Sequence, residues 1–499
     1  MTYTGRTKVR RRLALVFGLI ASSGLLAQVG AQSQASTQSR AGTLSDGGRL
    51  LVTQVTTSPE WSSGEGWIIV DPRNPQLVTA VWTSFPYKAP GAAITTPPGP
   101  SPVECGVGYS TDGGRTWDVS ALPYQRVGLP VNPGGCADPT LADAPDGTLY
   151  SVFDGGSVIP GVGTSYPTLA SLDTVSASRD QGRTWSQPKT VWSVEYRADN
   201  TVESRDPDAE FDRPWLVIDP VTRTLYASFS DDALVQRVVL ASHDDGVTWG
   251  PAYPLDPDFQ SIWGDTISAA FGVVAAAYTV DPNSLEYKAS HPPEVTCNQA
   301  CAVFETSTSD GKTWSRTVMP VDNPPVGSTP TTLGLEVAAD PSTKGRFAVV
   351  VPQSSDLQVW VTSDTGATWK LALTANVPGG DTLLHTWVGF GSTSALGVVW
   401  RIEHADKSYD VYADVSPDGG TTFGPQVELT PSTAPPDVAS GAPGDDCACN
   451  LYLDGKYLYT SWGDSRTGQR QLWFARYDWA GQSAPSSAVA GSSIGRVRR

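Results

Sequence analysis

Apolar residues along this chain come in short bursts rather than at helical spacing. Runs such as Val238-Val239-Leu240 and Val359-Trp360-Val361 are bounded by polar turn formers, which predicts many short strands and few helices. Seven stretches share a longer design, an apolar strand that runs into a tight turn and a second strand. They open at Glu65 (EGWIIVDP), Asp138 (DPTLADAPDG), Arg213 (RPWLVIDP), Asp265 (DTISAAFG), Gly334 (GLEVAADP), Asp381 (DTLLHTWVGFG) and Asp446 (DCACNLYLDG). An eighth strand, Arg49-LLVTQVTT, stands alone ahead of them.

Between these stretches lies a repeated octapeptide, Ser/Thr-x-Asp-x-Gly-x-Thr-Trp/Phe. It occurs at Ser110–Trp117, Ser178–Trp185, Ser242–Trp249, Ser307–Trp314, Thr362–Trp369 and Ser416–Phe423, and the fourth copy carries Ser309 in place of Asp. The closing aromatics are 68, 64, 65, 55 and 54 residues apart, so the chain is built from repeats. Each octapeptide suits a hairpin turn. Its Asp accepts backbone N–H groups, its Gly supplies a positive φ, and its Trp fills the gap to a neighbouring sheet. These aspartates therefore read as structural. The composition agrees: 49 Gly, 40 Pro, 17 Trp and 17 Tyr in 499 residues mark a turn-rich, aromatic all-β protein.

The octapeptides resemble the Asp-box (BNR) repeats of the sialidase-like β-propellers over most of the chain. The resemblance implies a propeller in which each box joins the third and fourth strands of a four-stranded blade. The seven apolar stretches then supply seven innermost strands, and the lone strand near Arg49 completes the last blade and closes the ring. The expectation is one seven-bladed all-β propeller over residues 48–480, with a six-bladed ring carrying one irregular insertion as the alternative. Closure removes both sheet edges.

If all boxes lie on one face, the innermost strands begin on the other, beside the central channel. Glu65, Asp138, Arg213, Asp265, Gly334, Asp381 and Asp446 would then ring that mouth. Asp265, Asp381 and Asp446 are candidates to take up a divalent cation such as Ca²⁺, although no cofactor is required; the alternative is that each only ties down its own loop. The long segments Ser84–Glu104 and Asp281–Thr296 map to the same face. Trp263 and Trp192 could stack on sugar rings there or belong to the core.

The family resemblance implies hydrolysis of a glycosidic bond, with release of terminal sialic acid. That chemistry employs an arginine triad, a Tyr nucleophile with a Glu partner, and an Asp acid/base. The family's Phe/Tyr-Arg-Ile/Leu-Pro motif is absent, and the nearest string is Phe211-Asp212-Arg213-Pro214-Trp215. Arg213, with Arg401 and Arg466, is the candidate anion grip. Asp138 and Asp212, with Glu65 behind them, are the acid/base candidates, and Tyr452 or Tyr459 the nucleophile. Scattered histidines and the lack of H-E-x-x-H, Walker and G-x-S-x-G strings dismiss zinc hydrolysis, nucleotide and serine-hydrolase chemistry. Two functions stand: a secreted glycoside hydrolase acting on an extracellular glycan, and a non-catalytic propeller that binds glycan or protein.

The N-terminus reads as an export signal. Arg6, Lys8, Arg10, Arg11 and Arg12 precede an apolar stretch from Leu13 to Ala27, and Val29-Gly30-Ala31 offers a cleavage site. Residues 32–47 read as a linker and 481–499 as a disordered tail. No stretch is apolar for long enough to span a membrane. Loss of residues 1–31 takes the formal charge from −17 to −22, which argues against nucleic acid and leaves a carbohydrate or glycoconjugate as partner of a monomeric protein. Six cysteines in an exported chain read as disulfides, zinc being the competing reading. Cys105 with Cys136 comes first by position, then Cys297 with Cys301 and Cys447 with Cys449.

Overall fold

The computed structural model describes residues 43–45, 48–86, 104–123, 136–159, 168–197, 211–231, 236–256, 266–282, 297–324, 334–436 and 450–481. They form seven antiparallel sheets, and no α-helix occurs among them. Six sheets hold four strands each in chain order. In blade 1 these are, from the axis outward, Trp61–Val70, Val78–Pro86, Glu104–Ser110 and Asp118–Ala121. The innermost strands of blades 2 to 6 are Cys136–Asp143, Phe211–Ile218, Ile267–Ala270, Glu336–Ala339 and Thr382–Phe390. The chain is a seven-bladed β-propeller.

Blade 7 shows how the ring closes. Its inner strands, Leu451–Leu453, Tyr457–Asp464 and Gln471–Asp478, come from the C-terminal end. The outer strand Leu50–Gln54 comes from the N-terminal end and pairs with Gln471–Asp478. Thr43–Ser45, within the segment read as a linker, adds a fifth strand by pairing with Leu50–Val52. Thr53 accepts a hydrogen bond from Trp117 Nε1 (3.2 Å) and donates one to the Gly114 carbonyl (2.7 Å). The closing strand is thus tied to the first box of blade 1.

The octapeptides form one type of turn. In five of them the first hydroxyl bonds the Asp carboxylate at 2.7–2.9 Å, and the Thr hydroxyl donates to that carboxylate at 2.6–2.8 Å. In all six, the N–H of the fifth residue donates to the first hydroxyl. In the fourth copy Ser309 Oγ takes the place of the carboxylate, meeting Thr313 Oγ1 at 2.7 Å and the Thr313 N–H at 3.0 Å. The fourth and fifth residues both hold positive φ. Gly114, at φ 84°, also sits where a Cβ would lie 2.1 Å from Phe474, so glycine serves both backbone and packing there.

The box aromatics reach the preceding blade, as expected. Trp117 packs on Phe474 of blade 7 at 5.2 Å, and Trp369 of blade 5 on Phe304 of blade 4 at 5.0 Å. Apolar clusters accordingly lie between sheets. One joins Ile68, Val78 and Trp82 of blade 1 to Tyr459, Leu472 and Phe474 of blade 7. Each fully buried side chain of this kind contributes roughly 1.5–3 kcal/mol.

A second device, carried by the Asp-Pro pairs after the inner strands, locks neighbouring blades on the box side. Asp219 of blade 3 accepts the N–H groups of Phe271 (3.2 Å) and Gly272 (2.5 Å) in blade 4. Asp340 of blade 5 accepts Ser394 Oγ of blade 6 at 2.7 Å. Arg73 joins Asp71 of blade 1 to the Asp146 carbonyl of blade 2.

Candidate functional site

Register fixes which end of the channel carries the boxes. In blade 1, Val70 pairs with Val78 and Val78 with Ser110, so the first box lies at the Val70 end. At the opposite end Gly64 pairs with Thr83 and Thr83 with Cys105. Glu65 therefore stands about 17 Å along the strand from the box end.

At that far end four innermost strands break register in the same way. In blade 1, Glu65 and Gly66 together oppose the single residue Trp82. Asp138 and Pro139 oppose Phe153, Arg213 and Pro214 oppose Phe229, and His385 and Thr386 oppose Trp400. Each is a β-bulge of two residues against one. The opposing aromatic is buried in every case. The first bulge residue is left-handed throughout, with φ of 53° at Glu65, 48° at Asp138, 52° at Arg213 and 44° at His385. For a side chain other than glycine this conformation costs roughly 1–2 kcal/mol. Among the described residues thirteen other than glycine have positive φ; these four lie inside strands, and the other nine lie at turns.

These bulges correct the expected openings of the inner strands. Glu65, Asp138 and Arg213 lie within their strands, and the residue at their height in blade 6 is His385, four positions beyond Asp381. The cause is local: the apolar pair Leu383-Leu384 belongs to the upper part of the strand, ahead of the bulge.

Directly after the bulge, two positions past its left-handed residue, Trp67, Trp215 and Trp387 meet. Their ring centroids lie 5.4 Å (Trp67–Trp215), 4.9 Å (Trp67–Trp387) and 5.7 Å (Trp215–Trp387) apart. In blade 2 the same place is held by Thr140, whose hydroxyl donates to the Pro214 carbonyl at 3.2 Å. Trp67 and Trp215 floor a small pocket walled by Glu65 of blade 1, Asp138 and Pro139 of blade 2, and Arg213 and Pro214 of blade 3. Two carboxylates and a guanidinium thus share one small, aromatic-floored cup.

Buried groups hold the walls. Arg237, fully buried on the third strand of blade 3, donates to the Arg213 carbonyl (2.7 Å) and to Ser228 Oγ (3.1 Å). The Asp138 N–H donates to Thr83 Oγ1 at 3.0 Å. Asn450 of blade 7 bonds both the N–H (2.9 Å) and the C=O (2.8 Å) of Ile68. At Gly66 a Cβ would lie 2.2 Å from Leu472 Cδ1, so only glycine lets blade 7 pack against the first bulge. The Cys105–Cys136 disulfide, with Cα atoms 5.3 Å apart, joins the third strand of blade 1 to the strand that carries Asp138. Cys297 and Cys301 form the second expected disulfide; Cys447 and Cys449 lie outside the described residues.

The structure brings Glu65, Asp138 and Arg213 together and places Arg401, Arg466, Tyr452 and Tyr459 elsewhere. Arg401 is buried 3.5 Å over the Tyr409 ring. Arg466 is bound to Asp464, its Nε at 2.8 Å and Nη2 at 2.5 Å. The Tyr459 hydroxyl donates to Asp454 at 2.7 Å on the box side of blade 7. Tyr452 packs against Tyr459, and burial, reinforced by Asp143 and Asp454, holds its hydroxyl well above the usual tyrosine range. Neither tyrosine lines the cup.

Asp381 meets His404 Nδ1 at 3.0 Å, and Asp410 meets Nε2 at 3.0 Å. Burial opposes charge on this ring, but the two carboxylates outweigh it and raise the pKa above 6.5. Among the described residues no three His, Cys, Asp or Glu side chains converge to hold a metal. Asp265, Asp446, Trp263 and the side chains of Asp212 and Trp192 lie outside the described set. Sequence reading missed His385 and Arg237. The signal for the first was its repeated context, an ionisable residue two places before Trp in E-G-W, R-P-W and H-T-W.

No protein-family model matches the chain, and no curated protein matches it. Solved structures similar to it include a protein of unknown function from Dyadobacter fermentans, at 13% identity over 86% of this chain and 97% of that one, TM-score 0.44. Another is the α-L-arabinofuranosidase of Fusarium graminearum in complex with arabinobiose, at 12% identity over 89% and 98%, TM-score 0.44. A third is the intramolecular trans-sialidase from Ruminococcus gnavus in complex with oseltamivir carboxylate, at 11% identity over 68% and 89%, TM-score 0.42.

Proposed function

We propose that this chain is an exported glycoside hydrolase that acts on an extracellular glycan in the cup opposite the boxes. The observation that carries this reading is the bulge ring. Strained, ionisable residues replace glycine at one height of several blades, and three of them converge over tryptophan. Strain of this kind persists where function requires a side chain that glycine cannot supply. In the proposed mechanism Glu65 and Asp138 are the carboxylate pair, one donating a proton to the leaving oxygen and the other stabilising the sugar cation or activating water. Arg213 grips an anionic group of the substrate, and Trp67 and Trp215 offer an apolar floor to a sugar ring. Residues 1–31 serve as the export signal, and the two disulfides accord with an oxidising compartment.

The locked position of Tyr459 and the buried one of Tyr452 favour a carboxylate-based reaction over one with a tyrosine nucleophile. They equally support a second reading, a propeller that binds glycan in the cup without cleaving it. Turnover of fluorogenic sialosides and related acidic glycosides separates the two. The enzyme reading expects hydrolysis by the wild type and its loss in Asp138→Asn and Arg213→Ala. Saccharide binding by wild-type protein without any turnover would leave the binder.

A further inference from the structure

Blades 1, 2, 3 and 6 share one motif at the cup end: a left-handed residue, a second bulge residue, and then the residue directly after the bulge. That last position holds Trp67, Trp215 and Trp387 in blades 1, 3 and 6, but Thr140 in blade 2. The cup is lined from blades 1, 2 and 3 alone, so it opens over the one blade of the four that lacks the indole. A fourth tryptophan at this position would take up the space beneath Asp138. The small side chain of Thr140 therefore leaves the room that the cup uses. Trp67 and Trp215 come in from the blades on either side of it, 5.4 Å apart.

The chemistry of the cup changes with depth. Its charged groups, Glu65, Asp138 and Arg213, are the left-handed residues nearest the mouth. One step further along the strands stand Pro139 and Pro214, which carry no N–H to donate, and then Thr140 and the two indoles. Thr140 is buried at the foot of the cup, and its hydroxyl is committed to the Pro214 carbonyl at 3.2 Å. That bond leaves the methyl group as what Thr140 offers a ligand. The Trp215 indole N–H is closed off from solvent, so it is not presented to the cup. A ligand hydroxyl pushed down to this level would lose water without gaining a partner, whereas a methyl group there would gain apolar contact.

We propose that Thr140 is the specificity-determining residue of the cup, and that it favours a deoxy sugar, whose methyl group descends to the floor, over the same sugar with a hydroxymethyl group. This rests on the reading of the cup as a glycan site. The polar side of the sugar then faces Glu65, Asp138 and Arg213, and its apolar edge faces Thr140, Trp67 and Trp215.

The test is titration of the full protein, followed by saturation-transfer NMR, with sugar pairs that differ only in methyl against hydroxymethyl: D-fucose and D-galactose, L-fucose and L-galactose, L-rhamnose and L-mannose. Each is supplied as the free sugar and as the 1-phosphate, which gives Arg213 an anionic group, with glucuronic acid as a reference. The wild type should bind the deoxy member of a pair roughly ten- to a hundredfold more tightly than its partner. Thr140→Ser keeps the hydroxyl and removes the methyl, so the preference should fall toward parity. Thr140→Val keeps a methyl and removes the hydroxyl, so the preference should persist. A role confined to the bond with the Pro214 carbonyl expects the reverse, a silent Ser variant and a disturbed Val variant. That reverse pattern, a preference unmoved in both variants, a wild type without preference, or binding of glucuronic acid alone would overturn the role of Thr140 and leave the glycan site standing. No binding of any saccharide by the wild type would overturn both.

Discussion

The two ends of the propeller solve one backbone problem with opposite chemistry. Both need left-handed residues at a recurring position. At the box end the need is met at exposed turns, with glycine at every fifth position and polar or small residues beside it. At the cup end it is met inside strands, with Glu65, Asp138, Arg213 and His385. The box carboxylates are spent on their own turns: the Thr248 hydroxyl and N–H bring Asp244 down to about 2, and those of Thr368 do the same for Asp364. The cup carboxylates line a shared cavity. Repetition alone thus marks scaffold, whereas repetition combined with backbone strain and ionisable side chains marks a site.

That contrast can be broken in several places. The largest effect is expected from Cys105→Ser with Cys136→Ser, which frees a loop of 31 residues beside Asp138 and should cost about 3–4 kcal/mol in chemical denaturation. Next, Asp138→Gly relieves the left-handed strain while removing a proposed acid/base group. Turnover should fall by roughly 10²-fold or more, while the melting temperature holds or rises. A fall in both would make Asp138 another structural turn residue. Gly114→Ala tests the other end: its Cβ would meet Phe474 at 2.1 Å, so stability should drop by about 1–3 kcal/mol with sugar binding unchanged. The smallest effect is in acid. Because Asp244 and Asp364 titrate at about 2 rather than 3.8, their stabilisation is complete above the unfolded value and fades as pH falls from there toward 2. Replacing both by Ser, as nature does at Ser309, should flatten the acid limb of the stability curve over that interval.

Much of this was legible in the sequence. The seven apolar stretches gave the blade number and the octapeptides the polarity, and the lone strand at Leu50 completed the last blade. Cys105 and Cys136 followed from the same map. The bulges were not legible, because a two-against-one register depends on a partner 15–17 residues downstream: Trp82 for Glu65, Phe153 for Asp138, Phe229 for Arg213 and Trp400 for His385. His385 was hidden further by its apolar neighbours, Leu383 and Leu384, which made Asp381 look like the start of the strand. The tryptophan floor is a contact among blades 1, 3 and 6, and no local pattern reports on it.

The most direct test sets one residue from each end side by side, with turnover of an acidic fluorogenic glycoside measured for wild type, Arg213→Ala and Asp244→Ala. The account predicts a loss of roughly 10²-fold or more in Arg213→Ala and wild-type turnover in folded Asp244→Ala. Equal losses in the two variants, or a loss confined to Asp244→Ala, would contradict it.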